Sequence, residues 1–328
     1  MSRYTRQEVL SEVGPDGQAR LRAAHVLVVG AGGLGCPVLQ YLTGAGVGRI
    51  TLVDADVVSV TNLHRQTLYS GTQVGRPKAL AAKEVLAGLN PEVTVVAEVA
   101  RLGPENVDRL LEQVDLAFDC ADSFAASYIL SDACYARGTP LISASALGME
   151  GYVGGFCAGA PSLRAVFPDL PQAGPTCATA GVLGPVVGTI GAMQAQMALN
   201  CLLGLAPSPL GQLVTLDCRT FRVGGFRFDG APEPETPPFR FLPPEAISER
   251  DFVIELRDAQ EAPVPVTPWA QRLNVDDFTP LGPSPGPGQR AVLCCRSGLR
   301  SWRAANLLQS YWEGEIRLVA LGDTPETA

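Results

Sequence analysis

The sequence predicts an α/β protein whose main domain is a Rossmann-like, doubly wound and mostly parallel sheet, followed by a small second α/β domain. Two continuous apolar runs, HVLVVG and RITLVD, are typical of parallel strands buried on both faces. Further strand-like runs alternate with helical segments: the strands are PEVTVVAEVA, VDLAFDC and TPLISASAL, and the helices include RPKALAAKEVLAGLN and FAASYILSDACYARG. Ligands are therefore expected beyond the carboxyl ends of these strands.

The composition narrows the classes of partner. The chain has 328 residues, of which 46% are hydrophobic and 18% charged, so it is globular. Its net charge of -8 argues against nucleic acid and against an anionic membrane as partners. Its nine cysteines form no C-x-x-C pair, and MSRYTRQEVLSEVG lacks the apolar core of a signal peptide. We therefore expect a cytoplasmic protein without a disulfide framework.

One long segment carries no charge between Leu170 and Leu216. Its apolar part, AGVLGPVVGTIGAMQAQMALNCLLGLA, is long enough to span a bilayer. It also contains Gln194, Gln196 and Asn200, and it lacks flanking Lys or Arg anchors. These features favour a helix buried in a protein core, with a membrane span as the alternative.

The composition changes near Gly230, where APEPETPPFRFLPPEA holds six prolines. Such a stretch predicts an extended, semi-rigid linker. The expected organisation is a nucleotide-binding domain over residues 1–230, a linker over 231–246 and a second domain over 247–328. In that second domain DFVIELRD and RAVLCC read as strands, and SWRAANLLQSYW reads as an amphipathic helix.

The glycines of GAGGLG predict a phosphate-binding turn. Gly30, Gly32, Gly33 and Gly35 permit a tight turn and a close approach of backbone to ligand, and the following helix directs its free N–H groups at an anion. Asp54 ends the next strand, where a carboxylate can accept hydrogen bonds from a ribose. These features fit NAD and ATP equally well.

The residues after Asp54 favour ATP. Arg65 and Lys78 lie just beyond the ribose position, with Asn62 beside them. A dinucleotide's pyrophosphate is served largely by backbone N–H groups, whereas a triphosphate that is cleaved needs cations on its leaving oxygens. Taken alone, Arg65 and Lys78 could be ordinary surface residues. Their spacing after Asp54 favours the functional interpretation.

Six ordered motifs resemble the ThiF/MoeB/HesA adenylating enzymes, relatives of the ubiquitin-activating enzymes. They are RYTRQ, GAGGLG, DADVVSVTNLHRQ, VGRPK, DCADS and PTCATAGVLGPVVGTIGAMQAQMAL, and together they cover about residues 3–225. The resemblance implies ATP-dependent joining of AMP to the C-terminal carboxylate of a ubiquitin-like sulfur carrier protein that ends in Gly-Gly. An acyl adenylate replaces an oxide leaving group with AMP, which makes the carboxylate electrophilic.

The resemblance also implies roles for single residues. Arg65 and Lys78 would hold the phosphates and Asp54 the ribose. The same nucleotide site would include Asp56, Asn62 and Gln66 from the DADVVSVTNLHRQ motif.

Two further roles involve a metal ion and a second subunit. By resemblance, Asp122 of DCADS would bind Mg²⁺ on the triphosphate. A plain helix cap is the alternative role of Asp122. Arg6 would reach the γ-phosphate of the opposite subunit's ATP, which implies a homodimer with two composite sites. His64 and His25 are the only histidines, so a Ser-His or Cys-His catalytic pair is not expected.

The chain departs from the family pattern in three places. Ser162 and Ala165 of PSLRAVFP replace one pair of zinc-binding cysteines, and RFDGAPEPETPP lacks the second pair, so no zinc is predicted and packing or a dimer interface must hold that region. Ser123 stands where the family usually has asparagine.

Cys177 matches a cysteine that some relatives use to take the acyl group or sulfur, but a small residue in a loop over the active site is an equal alternative.

The segment AVLCCRSGLRS resembles the active-site loop of rhodanese sulfurtransferases, with Cys295 and Arg300 at its ends. Such a loop wraps N–H groups around one sulfur, and the helix N-terminus favours a thiolate that carries a persulfide. Four residues separate Cys295 from Arg300, which favours sulfur over phosphate chemistry. Cys294 should face the core, and Glu255 replaces the usual acid of the preceding strand. The customary GHIPGA segment is missing, so this domain resembles a partly degraded sulfurtransferase.

The sequence thus predicts an adenylyltransferase that also transfers sulfur. ATP and Mg²⁺ would activate the carrier, and Cys295, loaded by a persulfide donor, would convert its end to a thiocarboxylate. An NAD-dependent oxidoreductase and a non-catalytic dimeric binding protein remain alternatives. The pathway served, among them molybdopterin and thiamine biosynthesis, is left open.

Overall fold

A computed structural model describes residues 2–168, 181–235 and 239–322. In this part of the chain an eight-stranded sheet has the order β3-β2-β1-β4-β5-β6-β7-β8. Its strands are β1 (His25–Val29), β2 (Arg49–Val53), β3 (Thr94–Glu98), β4 (Leu116–Asp119), β5 (Leu141–Leu147), β6 (Glu150–Phe156), β7 (Gln212–Asp217) and β8 (Arg222–Arg227). The first five are parallel, as predicted, and β6 to β8 add an antiparallel edge.

Helices cover both faces of this sheet. Those in the first part of the chain are α1 (Thr5–Glu8), α2 (Gly14–Ala23), α3 (Gly35–Ala45), α4 (Lys78–Leu89), α5 (Val107–Leu110), α6 (Phe124–Arg137), α7 (Leu163–Val166) and α8 (Gly184–Leu203). Because β1 pairs with both β2 and β4, the strand order reverses at β1. A crevice at this switch point, beyond the carboxyl ends of β1, β2 and β4, is where doubly wound sheets bind ligands.

Helix α8 is the long apolar segment for which a buried helix was predicted. Of the described helices, it alone is long and apolar enough to cross a membrane. Core helices of other proteins pass the same test, and half of this span is buried in the protein. At its middle, the Gln194 amide donates hydrogen bonds to the carbonyls of Asp119 (2.8 Å) and Ile142 (2.9 Å). Gly191 lies so close to α3 that an added Cβ would be 2.5 Å from Pro37 Cγ. These contacts tie α8 to the sheet and to α3.

A second, wholly parallel sheet has the order β11-β10-β12-β13-β9. It consists of β9 (Arg240–Phe241), β10 (Phe252–Glu255), β11 (Gln271–Arg272), β12 (Ala291–Cys295) and β13 (Ile316–Ala320), with α9 (Leu299–Gln309) beside it. The strands and the helix predicted here are present. The helix is shorter than the predicted SWRAANLLQSYW, however, because α9 ends at Gln309 and Trp312 lies beyond it, and Leu307 of α9 is 39% exposed.

Part of the stretch predicted as a linker is packed structure. Phe239 is buried, and strand β9 pairs with β13 at the sheet edge. The ring of Phe239 meets Trp302 of α9 edge-on at 5.3 Å, and Tyr128 of α6 lies 5.9 Å from the same Trp302 ring. One apolar cluster of the described residues therefore includes side chains from both sheets.

Polar contacts reinforce this junction at the two regions where the resemblance would place zinc-binding cysteines. The Ser162 backbone N–H and hydroxyl each donate to the Glu233 carboxylate at 2.6 Å, which joins the two regions that lack cysteines. Buried Arg164 donates two hydrogen bonds to Asp132 at 2.6 and 2.9 Å, and its guanidinium lies 5.5 Å from the Trp302 ring. Hydrogen bonds and packing thus connect this region, and the absence of zinc stays a prediction.

Candidate nucleotide and sulfur sites

The glycine-rich turn joins β1 to α3 at the switch point. Gly30 has φ +99°, and an added Cβ would be 2.6 Å from the Cys120 carbonyl oxygen, while a Cβ on Gly35 would overlap the Gly30 carbonyl. The fold itself therefore requires these two glycines. A Cβ on Gly32 would meet, among the described residues, only Gln66 Nε2 at 3.7 Å. Gly32 thus leaves space in which a ligand can approach the backbone.

Asp54 fixes the turn to the end of β2. Its Oδ2 accepts a hydrogen bond from the Ala31 N–H at 2.7 Å, and its Oδ1 accepts one from the Asp56 N–H at 2.8 Å. Burial raises the pKa of Asp54, while the Lys78 charge and the two N–H donors oppose that rise. A carboxylate has about four lone-pair positions, so further hydrogen bonds to a ribose remain possible.

Lys78 begins α4 and is only 4% exposed. Its Nζ forms an ion pair with Asp56 Oδ2 at 2.8 Å, and its backbone N–H donates to the Asp56 carbonyl at 2.8 Å. The Asp56 side chain is itself 65% exposed. The structure therefore brings Asp54, Asp56 and Lys78 together after β2, and the buried ammonium has an exposed carboxylate as its partner.

Arg65 approaches the glycine turn from the other side. A Cβ on Gly33 would be 3.8 Å from Arg65 Cδ. The guanidinium donates to Asn62 Oδ1 at 2.8 Å and to the Thr61 carbonyl at 3.3 Å, and it contacts the His64 Nε2 at 2.8 Å. Asn62 thus orients Arg65, which is a supporting role of the kind that the resemblance implied.

Gln66 is buried beside Gly32, and its Oε1 has no hydrogen-bond partner among the described residues. A buried acceptor without a donor costs about 1–3 kcal/mol, so such an atom is more stable when a ligand supplies the donor. The position of Gln66 against the turn fits a nucleotide, which carries hydroxyl and amine donors.

Asp122 lies on the turn between β4 and α6, and its side chain is exposed. Ser123, rather than Asp122, occupies the N-cap position of α6. Buried Asp119, which the sequence analysis did not single out, shapes this turn by accepting hydrogen bonds from the Ala121 N–H at 3.2 Å and the Ser143 hydroxyl at 2.8 Å. Burial raises the pKa of Asp119. The two acids three residues apart in DCADS were the available signal.

Arg6 lies on α1 and is exposed, whereas Tyr4 of the same motif is buried, with its hydroxyl donating to Glu92 at 3.1 Å. Tyr4 thus anchors the RYTRQ motif, and Arg6 remains on the surface, where it is accessible to another subunit. Cys177 lies outside the described residues.

Cys295 ends β12 and is fully buried. Its Sγ accepts hydrogen bonds from the Gly298 N–H at 3.2 Å and the Ser301 N–H at 3.4 Å, and the Ser301 hydroxyl is 3.3 Å away. The Arg300 guanidinium donates to the Leu256 carbonyl at 2.9 Å and forms an ion pair with Glu261. The loop therefore surrounds the sulfur with donors but shields it from solvent.

The neighbouring residues of this loop support the second sheet. Cys294 is also fully buried, and burial raises the pKa of its thiol. Glu255 is buried against Arg257, which donates to its two carboxylate oxygens at 2.9 and 2.8 Å. Burial raises the pKa of Glu255, but the hydrogen bonds from Arg257 outweigh it and hold that pKa below its ordinary value.

Comparisons with known proteins give a consistent result. The model of the ThiF family matches residues 4–237. A sulfur carrier protein adenylyltransferase of Thermus thermophilus is 44% identical over 225 residues, which cover 66% of this chain and 83% of that protein. The adenylyltransferase and sulfurtransferase MOCS3 of Bos taurus is 46% identical over 218 residues, which cover 66% of this chain and 48% of MOCS3. This chain thus spans about half of MOCS3.

Solved structures agree on the fold. Crystal structures of Escherichia coli MccB resemble this chain with a TM-score of 0.62 for the complex with MccA-N7isoASN and 0.61 for the complex with ATP. The first is 22% identical and covers 71% of this chain and 74% of MccB; the second is 20% identical and covers 70% and 72%. The Rossmann-like α/β fold is confirmed. The match to the family model ends at residue 237, before the Cys295 loop.

Proposed function

The chain belongs to the ThiF family of enzymes, and on that premise we propose that it uses ATP to adenylate the C-terminal glycine carboxylate of a ubiquitin-like sulfur carrier protein. The observation that carries the proposal is the convergence of Arg65, Lys78 and Asp54 on the glycine turn at the switch point of the sheet. A nucleotide held there has its ribose at Asp54 and its phosphates between the two cations.

The cations serve the chemistry of the step. A carboxylate oxygen of the carrier attacks the α-phosphorus, the bond to the bridging oxygen breaks, and pyrophosphate leaves with the electron pair. Two anions that meet at about 4 Å repel by about 4 kcal/mol at an effective dielectric of about 20. Arg65 and Lys78 offset this repulsion, and they also bind the charge that develops on the leaving pyrophosphate.

Asp122 is the residue that would hold Mg²⁺. Its carboxylate is exposed on the β4–α6 turn, and hard oxygen ligands suit this ion, which keeps several waters and needs only one or two carboxylates beside the phosphates. Bound there, Mg²⁺ supplies positive charge to the triphosphate. In the dimer that we propose, the exposed Arg6 of each subunit reaches the γ-phosphate end of its partner's site.

Sulfur transfer is the second part of the proposal. A persulfide donor loads Cys295, and the terminal sulfur attacks the acyl adenylate and expels AMP, which leaves an acyl disulfide. A thiol then cleaves its S–S bond and releases the thiocarboxylate. The Gly298 and Ser301 N–H groups both donate to Cys295 Sγ, the atom that accepts the sulfur, and so hold it in place within the loop. We place the reaction in the cytoplasm, where thiols are kept reduced.

Pyrophosphate exchange into ATP in the presence of Gly-Gly-tailed carriers tests the adenylation. The wild type should exchange and should give the carrier a mass gain of one AMP. Arg65→Ala should lose about 10²–10³-fold in exchange, the usual cost of one preorganised charge donor. Arg76→Ala is the matched control, because Arg76 is exposed on the same segment and pairs with Glu84 on the surface. The proposal would be refuted if no carrier gave either pyrophosphate exchange or a mass gain of one AMP.

A further inference from the structure

The Cys295 loop rests on the first turn of helix α6. The Ala125 N–H donates a hydrogen bond of 3.3 Å to the Ser297 carbonyl. Gly298, with φ +92°, is so close that an added Cβ would be 3.3 Å from Ala125 Cβ and 3.1 Å from the Phe241 ring. The loop is thus held between α6 on one side and Phe241 on the other.

The rest of the loop is anchored to its own sheet. The Leu321 N–H donates to the Cys295 carbonyl at 2.9 Å, the Gly322 N–H donates to the Arg296 carbonyl at 2.8 Å, and Arg300 donates to the Leu256 carbonyl at 2.9 Å. These bonds are shorter than the 3.3 Å bond to α6, which lies beyond the usual range for N–H to oxygen. Because Cys295 is 0% exposed, a sulfur donor reaches it only after the loop moves, and the contact with α6 is the weaker attachment.

The same helix end belongs to the nucleotide site. Asp122 precedes Ala125 by three residues on the turn that enters α6. A ligand that draws Asp122 and Ser123 towards its phosphates therefore pulls on the backbone that Ser297 contacts. A ligand that shifts this turn would weaken the contact of the loop, and the docked loop would weaken the hold of the ligand to the same extent.

We infer that the loop controls access to the Cys295 thiol. In the nucleotide-free protein the loop docks on α6 and blocks access, and binding of MgATP opens this gate. The gate exposes a persulfide only while an acyl adenylate can form, and otherwise protects it from other thiols. The inference rests on the proposed function in one respect, which is that MgATP binds at the Asp122 turn.

Alkylation of the full-length protein with iodoacetamide, followed by peptide mass mapping, tests the gate without any turnover. Cys294, also fully buried, and Cys218, which is partly exposed, are internal references. Without nucleotide, Cys295 should react as slowly as Cys294. Saturating MgATP should accelerate Cys295 about tenfold, within the range typical of coupled sites, and should leave Cys294 unchanged.

Two results would overturn the gate: a Cys295 rate that does not respond to saturating MgATP, or a Cys295 rate equal to that of Cys218 without nucleotide. MgATP affinity and pyrophosphate exchange are measured on the same preparation. Normal exchange with an unresponsive Cys295 refutes only the gate. Absence of MgATP binding refutes both the gate and the proposed function.

Ala125→Val gives a second test, because the added methyl groups crowd Gly298 and should undock the loop. Cys295 should then react rapidly without nucleotide, and MgATP should bind more tightly by a similar factor, since coupling is reciprocal. Ala136→Val is the control, on an exposed position of the same helix with the same change in helix propensity. If Ala125→Val unfolds the protein, Cys294 reacts as well, and the wild-type response to MgATP still decides.

Discussion

Lys78→Met separates a catalytic from a structural role of the buried lysine. Methionine keeps the length and apolar stem of the side chain and removes the charge. Because the Asp56 partner is 65% exposed, its carboxylate is hydrated when the lysine is lost. The free energy of unfolding should therefore fall by no more than about 1 kcal/mol, the usual limit for an ion pair in contact with solvent.

The loss of activity should be much larger. One unit charge at about 4 Å from a phosphate oxygen contributes about 4 kcal/mol at an effective dielectric of about 20. Since about 1.4 kcal/mol is a factor of ten in rate, Lys78→Met should lower kcat/KM for pyrophosphate exchange by about 10³-fold.

The chain offers a close control, because Lys83 is its only other lysine and lies exposed on the same helix α4. Lys83→Met should leave exchange and thermal stability at the wild-type level. Exchange by Lys78→Met within about threefold of the wild type would contradict the charge argument, since that factor is only about 0.6 kcal/mol. A large fall in Tm would assign Lys78 to the fold instead.

Two further predictions concern the glycine turn and the second sheet. Gly35→Ala should lower Tm and abolish ATP binding, because the added Cβ overlaps the Gly30 carbonyl. Gly32→Ala should keep the wild-type Tm and only weaken ATP binding, as measured by calorimetry. Equal effects of the two substitutions on Tm would contradict this distinction. Glu255→Gln should lower the free energy of urea unfolding at pH 7 by about 3 kcal/mol, since it leaves a buried arginine without its counter-ion. The folded-state pKa of Glu255 lies below its unfolded value, so its contribution is complete above the unfolded pKa and is lost as pH falls through the folded pKa. The difference between wild type and Glu255→Gln should accordingly shrink on acidification, and a difference that grows would refute the pairing.

Local patterns in the sequence were sufficient for the parallel part of the main sheet. The apolar runs HVLVVG and RITLVD form β1 and β2, because strands buried on both faces need continuous apolar residues. Strand β6 gave no such signal. Its segment EGYVGGF is rich in glycine, which is unfavourable in strands, and the strand forms through pairing with β5 and β7. No side chain fits at Gly155, since an added Cβ would be 2.5 Å from the Pro209 carbonyl oxygen.

For the proposed nucleotide site, the sequence predicted residues that the structure brings to the switch point, but it did not predict their contacts. Motif spacing predicted Asp54, Arg65 and Lys78 as ligand-binding residues, because a ribose and a triphosphate need an acid and cations at the ends of neighbouring strands. The ion pair of Lys78 with Asp56 and the unpaired buried oxygen of Gln66 depend on how separate segments pack. They could not be read from residue types.

By itself, the sequence determined the chemistry: which side chains are available, in what order, and on which strand ends, since these follow from local periodicity and spacing. Only the tertiary structure decided that Ser162 meets Glu233, that Phe239 belongs to a shared core, and that the Cys295 loop closes on α6. Each of these contacts joins residues more than 60 positions apart in the chain. Such pairs form because burial and hydrogen bonding of whole faces outweigh local preference, and no local pattern records which faces will meet.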